Sequence, residues 1–232
     1  YGFLEHCLRE DLNETAQRTM AVIRPVKLTI TNYPEGQSET VTVENNPLDP
    51  AAGTREITFS GHLYIESDDF LEAPVPKYKR LYPNGPECRL KGAYLIRCTG
   101  CVKDADGNVT EVLAEYDPES RGGDPADGRK VKGATIHWVD AATAIDAEVR
   151  LYDNLFTDAD PDAADKNFLE CLNPNSLEIL TGCKVEPSLA DAAAPASFQF
   201  MRLGYFCLDS KDSRPGHLVF NRSVSLKDSF KK

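Results

Sequence analysis

Apolar residues recur at every second position along most of this chain, in short runs that glycine and proline cut apart. Val26, Leu28 and Ile30 alternate with Lys27, Thr29 and Thr31. In extended backbone, successive side chains leave on opposite faces, so such a run buries one face and wets the other. Val41 and Val43 repeat the pattern after the Pro34-Glu35-Gly36 turn. Ile57, Phe59, Leu63 and Ile65 hold one phase through Gly61, which predicts a single strand over 56–66 kinked at the glycine. Residues 94–98 and 109–116 flank a turn at 104–108 as a hairpin. Ile136 and Trp138 alternate with His137 and Val139, and 148–152 reads as another strand. Leu177, Ile179, Cys183 and Val185 continue the series, followed by Phe198 and Phe200 around Gln199. Residues 205–208 then follow Gly204, and Leu218, Phe220, Val224 and Leu226 end the pattern, with Asn221 and Ser223 on the other face.

Two kinds of segment escape the period of two. Over 2–14, Leu4, Cys7, Leu8 and Leu12 fall at helical spacing and Glu5 can pair with Arg9, which predicts one short amphipathic helix. Residues 117–133 carry Pro118, Gly122-Gly123, Pro125 and Gly128 and are expected to be irregular. An acidic loop is expected over 158–165 and a short helical turn over 166–172. Many short strands with almost no helix predict a mainly β sandwich or barrel.

The chain of 232 residues is long enough for one large or two small cores, and 41% hydrophobic residues are ordinary for a globular protein. No apolar run is long enough to cross a bilayer as a helix, so no membrane partner is expected. The opening lacks the apolar stretch of a signal peptide and an initiator Met, which predicts a cytoplasmic protein and a piece of something longer. Seven scattered Cys predict reduced thiols. Cys98 and Cys101 form a lone CxxC, expected to close a strand rather than bind metal. His6, His62, His137 and His217 have no second ligand at metal-binding spacing, so no metal site is expected. No phosphate loop, dinucleotide fingerprint or nucleophile elbow occurs, and the acids are read as a solvated surface. A binding role is therefore favoured over catalysis; a carboxylate-pair hydrolase is the weaker enzyme reading.

Against this acidic background, with 37 Asp+Glu facing 26 Lys+Arg, one stretch is strongly basic. Residues 76–92 hold Lys77, Lys79, Arg80, Arg89 and Lys91, interleaved with Tyr78 and Tyr82, and Asn84-Gly85 supplies a turn that folds the stretch back as a hairpin. Cations beside aromatics suit phosphates and unstacked bases. Arg89 and Lys91 are expected on one face, opposite Cys88 and Leu90, and Lys77 and Lys79 share a face if extended. A second cluster, Arg129, Lys130 and Lys132, ends the irregular segment. The net charge of −11 disfavours indiscriminate nucleic-acid binding, yet a local patch acts within a screening length of roughly 8–10 Å.

The runs RTMAVIRPVKLTITNYPEG, KYKRL with ECRLKG, DPADGRKVKGATIHWVDA and FQFMRLGYFCLDS together resemble the C-terminal anticodon-binding region of the glutaminyl-tRNA synthetases, in order and over nearly the whole chain. The resemblance implies two β-barrels, proximal and distal, after a short N-terminal helix. Residues 1–19 would be the tail of an upstream helical subdomain, 20–135 the first barrel region and 136–232 the second, with strands free to interleave. It implies a class I catalytic domain upstream as a partner in the same polypeptide. ATP and Mg would serve that domain, with no catalytic residue or cofactor in this piece. The expected ligand is the anticodon loop and stem of tRNA(Gln), bound by a monomer.

In that family the anticodon loop is splayed and each base is held separately, as in single-stranded RNA recognition generally. By resemblance, Arg18 and Gln199 contact the middle base, Arg80 the third and Arg89 the first. Asn46, Lys77, Lys79, Lys91 and Arg202 align with flanking contacts, and Lys130 and Lys132 are added from the second cluster. Arg and Gln can pair with base edges, each contact being worth about 1–3 kcal/mol by analogy with DNA readout. Lys77, Lys91 and Met201 depart from residues found in some relatives, and Lys91 lacks the planar fork of Arg. Gln199 and Arg202 do not share a face in a regular strand, so a bulge or strand end must re-aim one. The alternatives are the corresponding region of a glutamyl-tRNA synthetase and a non-catalytic barrel that reads RNA by shape.

Overall fold

The computed structural model describes residues 2–163 and 167–227. The expected turn at 166–172 appears as a short 3-10 helix, Phe168–Cys171; residue 166 and the end of the expected acidic loop lie outside the described residues. The one α-helix among the described residues, α1 (Gly2–Thr15), carries the expected Arg9–Glu5 pair at 3.1 Å. Leu8 and Leu12 pack with Ala16, Tyr205 and Val224. Leu4 is exposed, so the helical stripe reaches the core only in its second half.

The strands are β1 (Gln17–Thr19), β2 (Ala21–Val22), β3 (Pro25–Ile30), β4 (Ser38–Glu44), β5 (Thr54–Ser60), β6 (His62–Glu66), β7 (Cys88–Leu90) and β8 (Leu95–Lys103). There follow β9 (Val109–Asp117), β10 (Thr135–Ile136), β11 (Val139–Asp140), β12 (Ile145–Tyr152), β13 (Leu177–Val185), β14 (Ser197–Phe200), β15 (Gly204–Leu208) and β16 (Leu218–Ser225). They build two 7-stranded sheets and a two-stranded ribbon, β4–β5. The fold is mainly β, with barrel-like sheets, as the alternation predicted.

Each large sheet begins and ends on neighbouring pieces of chain. The first runs β10-β7-β8-β9-β3-β6-β11, and only His137 and Trp138 separate its edges, β10 and β11, in sequence. The second runs β1-β14-β15-β16-β12-β13-β2, and only Met20 separates β1 from β2. A sheet whose two edges are carried by one short segment has to curl until those edges approach. This is how barrels remove exposed strand edges.

Two cores result. Leu28, Phe59, Leu63, Ile65, Leu90 and Trp138 fill the first, where the Phe59 and Trp138 rings meet edge to face at 5.2 Å. The β4–β5 ribbon belongs to this core through Val41, Val43, Ile57 and Phe59. The second holds Val149, Val185, Phe200, Phe206 and Phe220, with Phe200 stacked on Phe206 at 4.4 Å.

Several expectations change. The strand predicted over 56–66 is two strands: β5 pairs with β4, whereas β6 pairs with β3 and β11. The odd-numbered phase survives Gly61 because both halves face one core, not because they form one strand. Ile136, His137, Trp138 and Val139 are all buried, so this segment has no wet face. It bridges the seam of the first sheet, and side chains there are covered from both sides. A division at 135/136 falls inside β10, and the N-terminal β1 and β2 pair with the C-terminal strands. Cys98 and Cys101 sit within β8, at a register shift, rather than at its end.

Candidate nucleic-acid interface

The basic stretch is not a two-stranded hairpin. Only Cys88–Leu90 is strand, pairing antiparallel with β8 and parallel with β10. Cys88 and Leu90 point into the core and Arg89 outward, as the alternation requires. Residues before β7 run as successive turns, with Tyr78 N–H bonded to Val75 O and Gly85 N–H to Tyr82 O. Lys77 has φ of 69°, so Lys77 and Lys79 do not share an extended face. Other backbone groups of the stretch bond to different segments, Leu81 N–H to Asp69 O and Asn84 N–H to Cys98 O, so the two arms do not pair with each other.

The second basic cluster is laid directly against the first. Ala134 N–H donates to Lys79 O at 2.7 Å, Arg89 N–H to Ala134 O at 3.0 Å and Lys91 N–H to Ile136 O at 2.9 Å. Gly133 makes this approach possible: a Cβ there would lie 2.1 Å from Glu87 O, inside contact distance for any side chain. Arg129 braces the loop by pairing with Glu87, Asp117 and Asp127, whose hydrogen bonds raise its pKa. Lys77, Lys79, Lys91, Lys130 and Lys132 are exposed, and none joins an ion pair among the described residues. One face therefore carries a group of uncommitted ammonium charges on a protein whose net charge is −11.

Beside that face, between the two barrels, opens a cleft of about 240 Å³ lined by Lys91, Thr135, Ile136, His137, Gln199, Met201 and Arg202. It brings together Lys91, Gln199 and Arg202, three of the residues singled out from the sequence. Gln199 comes from β14; Arg202 lies in the turn after it, with φ of 68°. A strand end thus re-aims Arg202, one of the two devices that the spacing required.

Arg202 donates to both oxygens of Asp69, at 2.7 and 2.6 Å, and its Nη1 lies 3.3 Å from Nδ1 of His137. His137 Nε2 stands 3.4 Å from Glu66, which also accepts the backbone N–H groups of Ile23 and Arg24. Burial disfavours the charge on Arg202, but the Asp69 hydrogen bonds and charge raise its pKa. Arg80 approaches the same carboxylate at 3.3 Å and donates to Asp68 O at 3.2 Å. Tyr78 also donates to Asp68 O, and its pKa is pushed up to about 12 by burial and by Asp69.

Gln199 donates from Nε2 to the Tyr205 hydroxyl at 2.8 Å, and Tyr205 bonds to Asn13 Oδ1. Arg18 lies opposite Gln199 in the parallel β1–β14 pairing and reaches the same Asn13 at 3.0 Å. Arg18 is only 4% exposed and spends further donors on the carbonyls of Ala16 and Asn13. Burial lowers its pKa, with Tyr205 opposing. Asn46 is also buried, and it donates to Glu14 O. Both therefore satisfy carbonyls at the end of α1, which has no intrahelical donors left for them. Arg89 is half-buried, with Nε on Gly123 O at 2.6 Å and Nη2 on Asp124 at 3.1 Å.

Sequence reasoning missed His137, Asp69, Tyr205 and Asn13. His137 carried a faint signal, standing in the segment where apolar residues flank a polar one at the barrel seam. Asp69 carried none, since Asp68 beside it is identical in type and exposed.

Comparison with known proteins bears on this surface. Two family models match, both described as tRNA synthetases class I (E and Q), anti-codon binding domain, over residues 16–117 and 135–209. The glutamine–tRNA ligase of Clostridium perfringens is 55% identical over 98% of this chain and 41% of its own length. Those of Bradyrhizobium diazoefficiens and Pseudomonas syringae pv. tomato are 53% and 51% identical over 100% and 99% of the chain. The chain spans about 40% of the length of these two curated relatives.

Proposed function

Because the chain belongs to the anticodon-binding domains of the class I tRNA synthetases (E and Q), we propose that it reads the anticodon of tRNA(Gln) on behalf of a glutamine–tRNA ligase. In this reading the whole enzyme charges tRNA(Gln) with glutamine at the expense of ATP, with Mg, in a catalytic domain outside this chain. The protein works as a cytoplasmic monomer. Residues 20–135 and 136–232 are the two barrel regions, modified by the exchange of seam strands described above.

The observation that carries the reading is the cleft between the barrels. It offers Gln199 and Arg202 as base-edge partners, with Lys91 at its rim. Arg80 stands next to it with Nε and Nη2 uncommitted among the described residues, a fork suited to paired acceptors. Lys77, Lys79, Lys130 and Lys132 supply phosphate contacts around it. Arg89 approaches a base from its half-buried position over Gly123. Arg18 and Asn46 act from behind: Arg18 fixes the Asn13–Tyr205–Gln199 chain, and Asn46 fixes the end of α1.

Competition binding by the full-length protein between transcripts of tRNA(Gln) and tRNA(Glu) tests this. Preference for tRNA(Gln), lost when its middle anticodon base is changed, is the expected result. Preference for tRNA(Glu) would assign the chain to a glutamyl enzyme instead. Indifference to the anticodon would leave a shape-reading barrel.

A further inference from the structure

Asp69 is fully buried at the end of a short 3-10 turn, Ser67–Asp69, and it faces two arginines, Arg80 nearby in sequence and Arg202 from the far part of the chain. Arg202 grips both of its oxygens, and Arg80 lies against Oδ1. Its backbone carbonyl also accepts the N–H of Leu81 at 2.9 Å, so the same residue anchors the main chain beside Arg80. A carboxylate without solvent is costly to leave unpaired, and here two guanidinium groups share one buried negative charge.

The remaining donors decide what this arrangement is for. Arg202 uses one hydrogen on each terminal nitrogen for Asp69, its Nη1 also lies 3.3 Å from Nδ1 of His137, and its Nε makes no hydrogen bond among the described residues. Arg80 is held only through Nη1. Each arginine is fixed along one edge and keeps donors at another, which is how a side chain is preorganised to read a planar ligand.

We propose that Asp69 is a positioning residue shared by two RNA-reading arginines, so that recognition in the cleft and recognition at Arg80 are coupled through one buried carboxylate. Moving either arginine toward its base changes the hold of Asp69 on the other. This rests on the anticodon-reading function proposed above and extends it to a residue that touches no RNA itself.

The test uses the full-length protein and transcripts of tRNA(Gln) with the middle or the third anticodon base changed. Equilibrium binding gives a selectivity ratio for each base, and thermal unfolding is followed in parallel. Asp69→Asn is expected to lower both ratios by roughly tenfold, the scale of one lost base contact, while Arg80→Ala lowers the third-base ratio by as much and the middle-base ratio, through Asp69, by less. Equal weakening toward every transcript, or loss at one base only, would overturn the proposal, since a merely structural role leaves the ratios unmoved. If Asp69→Asn does not fold, Arg80→Ala, Arg202→Ala and their double variant decide it. Their combined loss of selectivity should be smaller than the product of the single losses, and a simple product would overturn the coupling. A wild-type protein that binds all transcripts alike would refute anticodon reading itself, and this inference with it.

Discussion

Arg80 and Lys132 are cations of the same face, yet their surroundings assign them different work. Arg80 is clamped on one edge by Asp69 and Asp68, so its direction is set before any ligand arrives. Lys132 is exposed and unpaired among the described residues, a mobile point charge. Arg80→Ala should therefore cost about 1–3 kcal/mol against one anticodon base and little against transcripts already altered there. Lys132→Ala should weaken binding to every transcript alike and reduce the slope of log affinity against log salt by about 0.7. Salt titrations of both variants on a panel of anticodon transcripts check this. Identical profiles would contradict the division. That both residues are cations on a polar stretch was legible in the chain; that one is clamped was not, because its clamp, Asp69, is set apart from Asp68 only by burial.

At the scale of elements, turn chemistry is local and was readable, while pairing partners were not. The turn between β15 and β16 shows the local kind. The Asp209 carboxylate accepts the backbone N–H groups of Asp212 and Lys211 and the Asn221 amide, at 2.8, 2.8 and 2.7 Å. These bonds, the Asp212 N–H foremost, hold its pKa down to about 2. The unfolded chain then takes up a proton before the folded one does. Stability from this turn is complete above about pH 4 and is lost as pH falls toward 2. Urea unfolding at a series of acidic pH values should show Asp209→Asn with a shallower loss over that window than the parent. The strand over 56–66 shows the other kind. Alternation recorded correctly which side chains face the core, but no local property told Thr54–Ser60 to join β4 and His62–Glu66 to join β3.

For the molecule as a whole, the barrels are tied by buried polar groups as well as by shared strands. Glu186 is 2% exposed and takes both Nε and Nη2 of Arg55, at 2.6 and 2.8 Å. It also accepts the Met20 N–H at 2.9 Å, at the seam of the second sheet. It thus links the β4–β5 ribbon of one barrel to the closing point of the other. Glu186→Ala leaves a buried guanidinium and an orphaned N–H, and should destabilise by about 3–5 kcal/mol. The exposed Arg24–Glu178 pair, broken by Arg24→Ala, should cost under about 1 kcal/mol. Urea midpoints of the two variants would separate these roles.

Alternation, turn residues and the position of charge are properties of neighbours along the chain, set by steric and solvation preferences that act over a few residues. From them alone came the β class, the one short helix, the irregular segment before residue 133 and the two basic clusters. The tertiary structure decided everything that depends on pairing between distant segments. It set His137 and Trp138 across a seam, drew Lys91 beside Gln199 and Arg202, turned Arg18 inward to the end of α1, and buried Asp69 rather than Asp68. Those outcomes follow from which strand edges meet and which carboxylate loses its water, and both are settled only when remote pieces of chain come into contact.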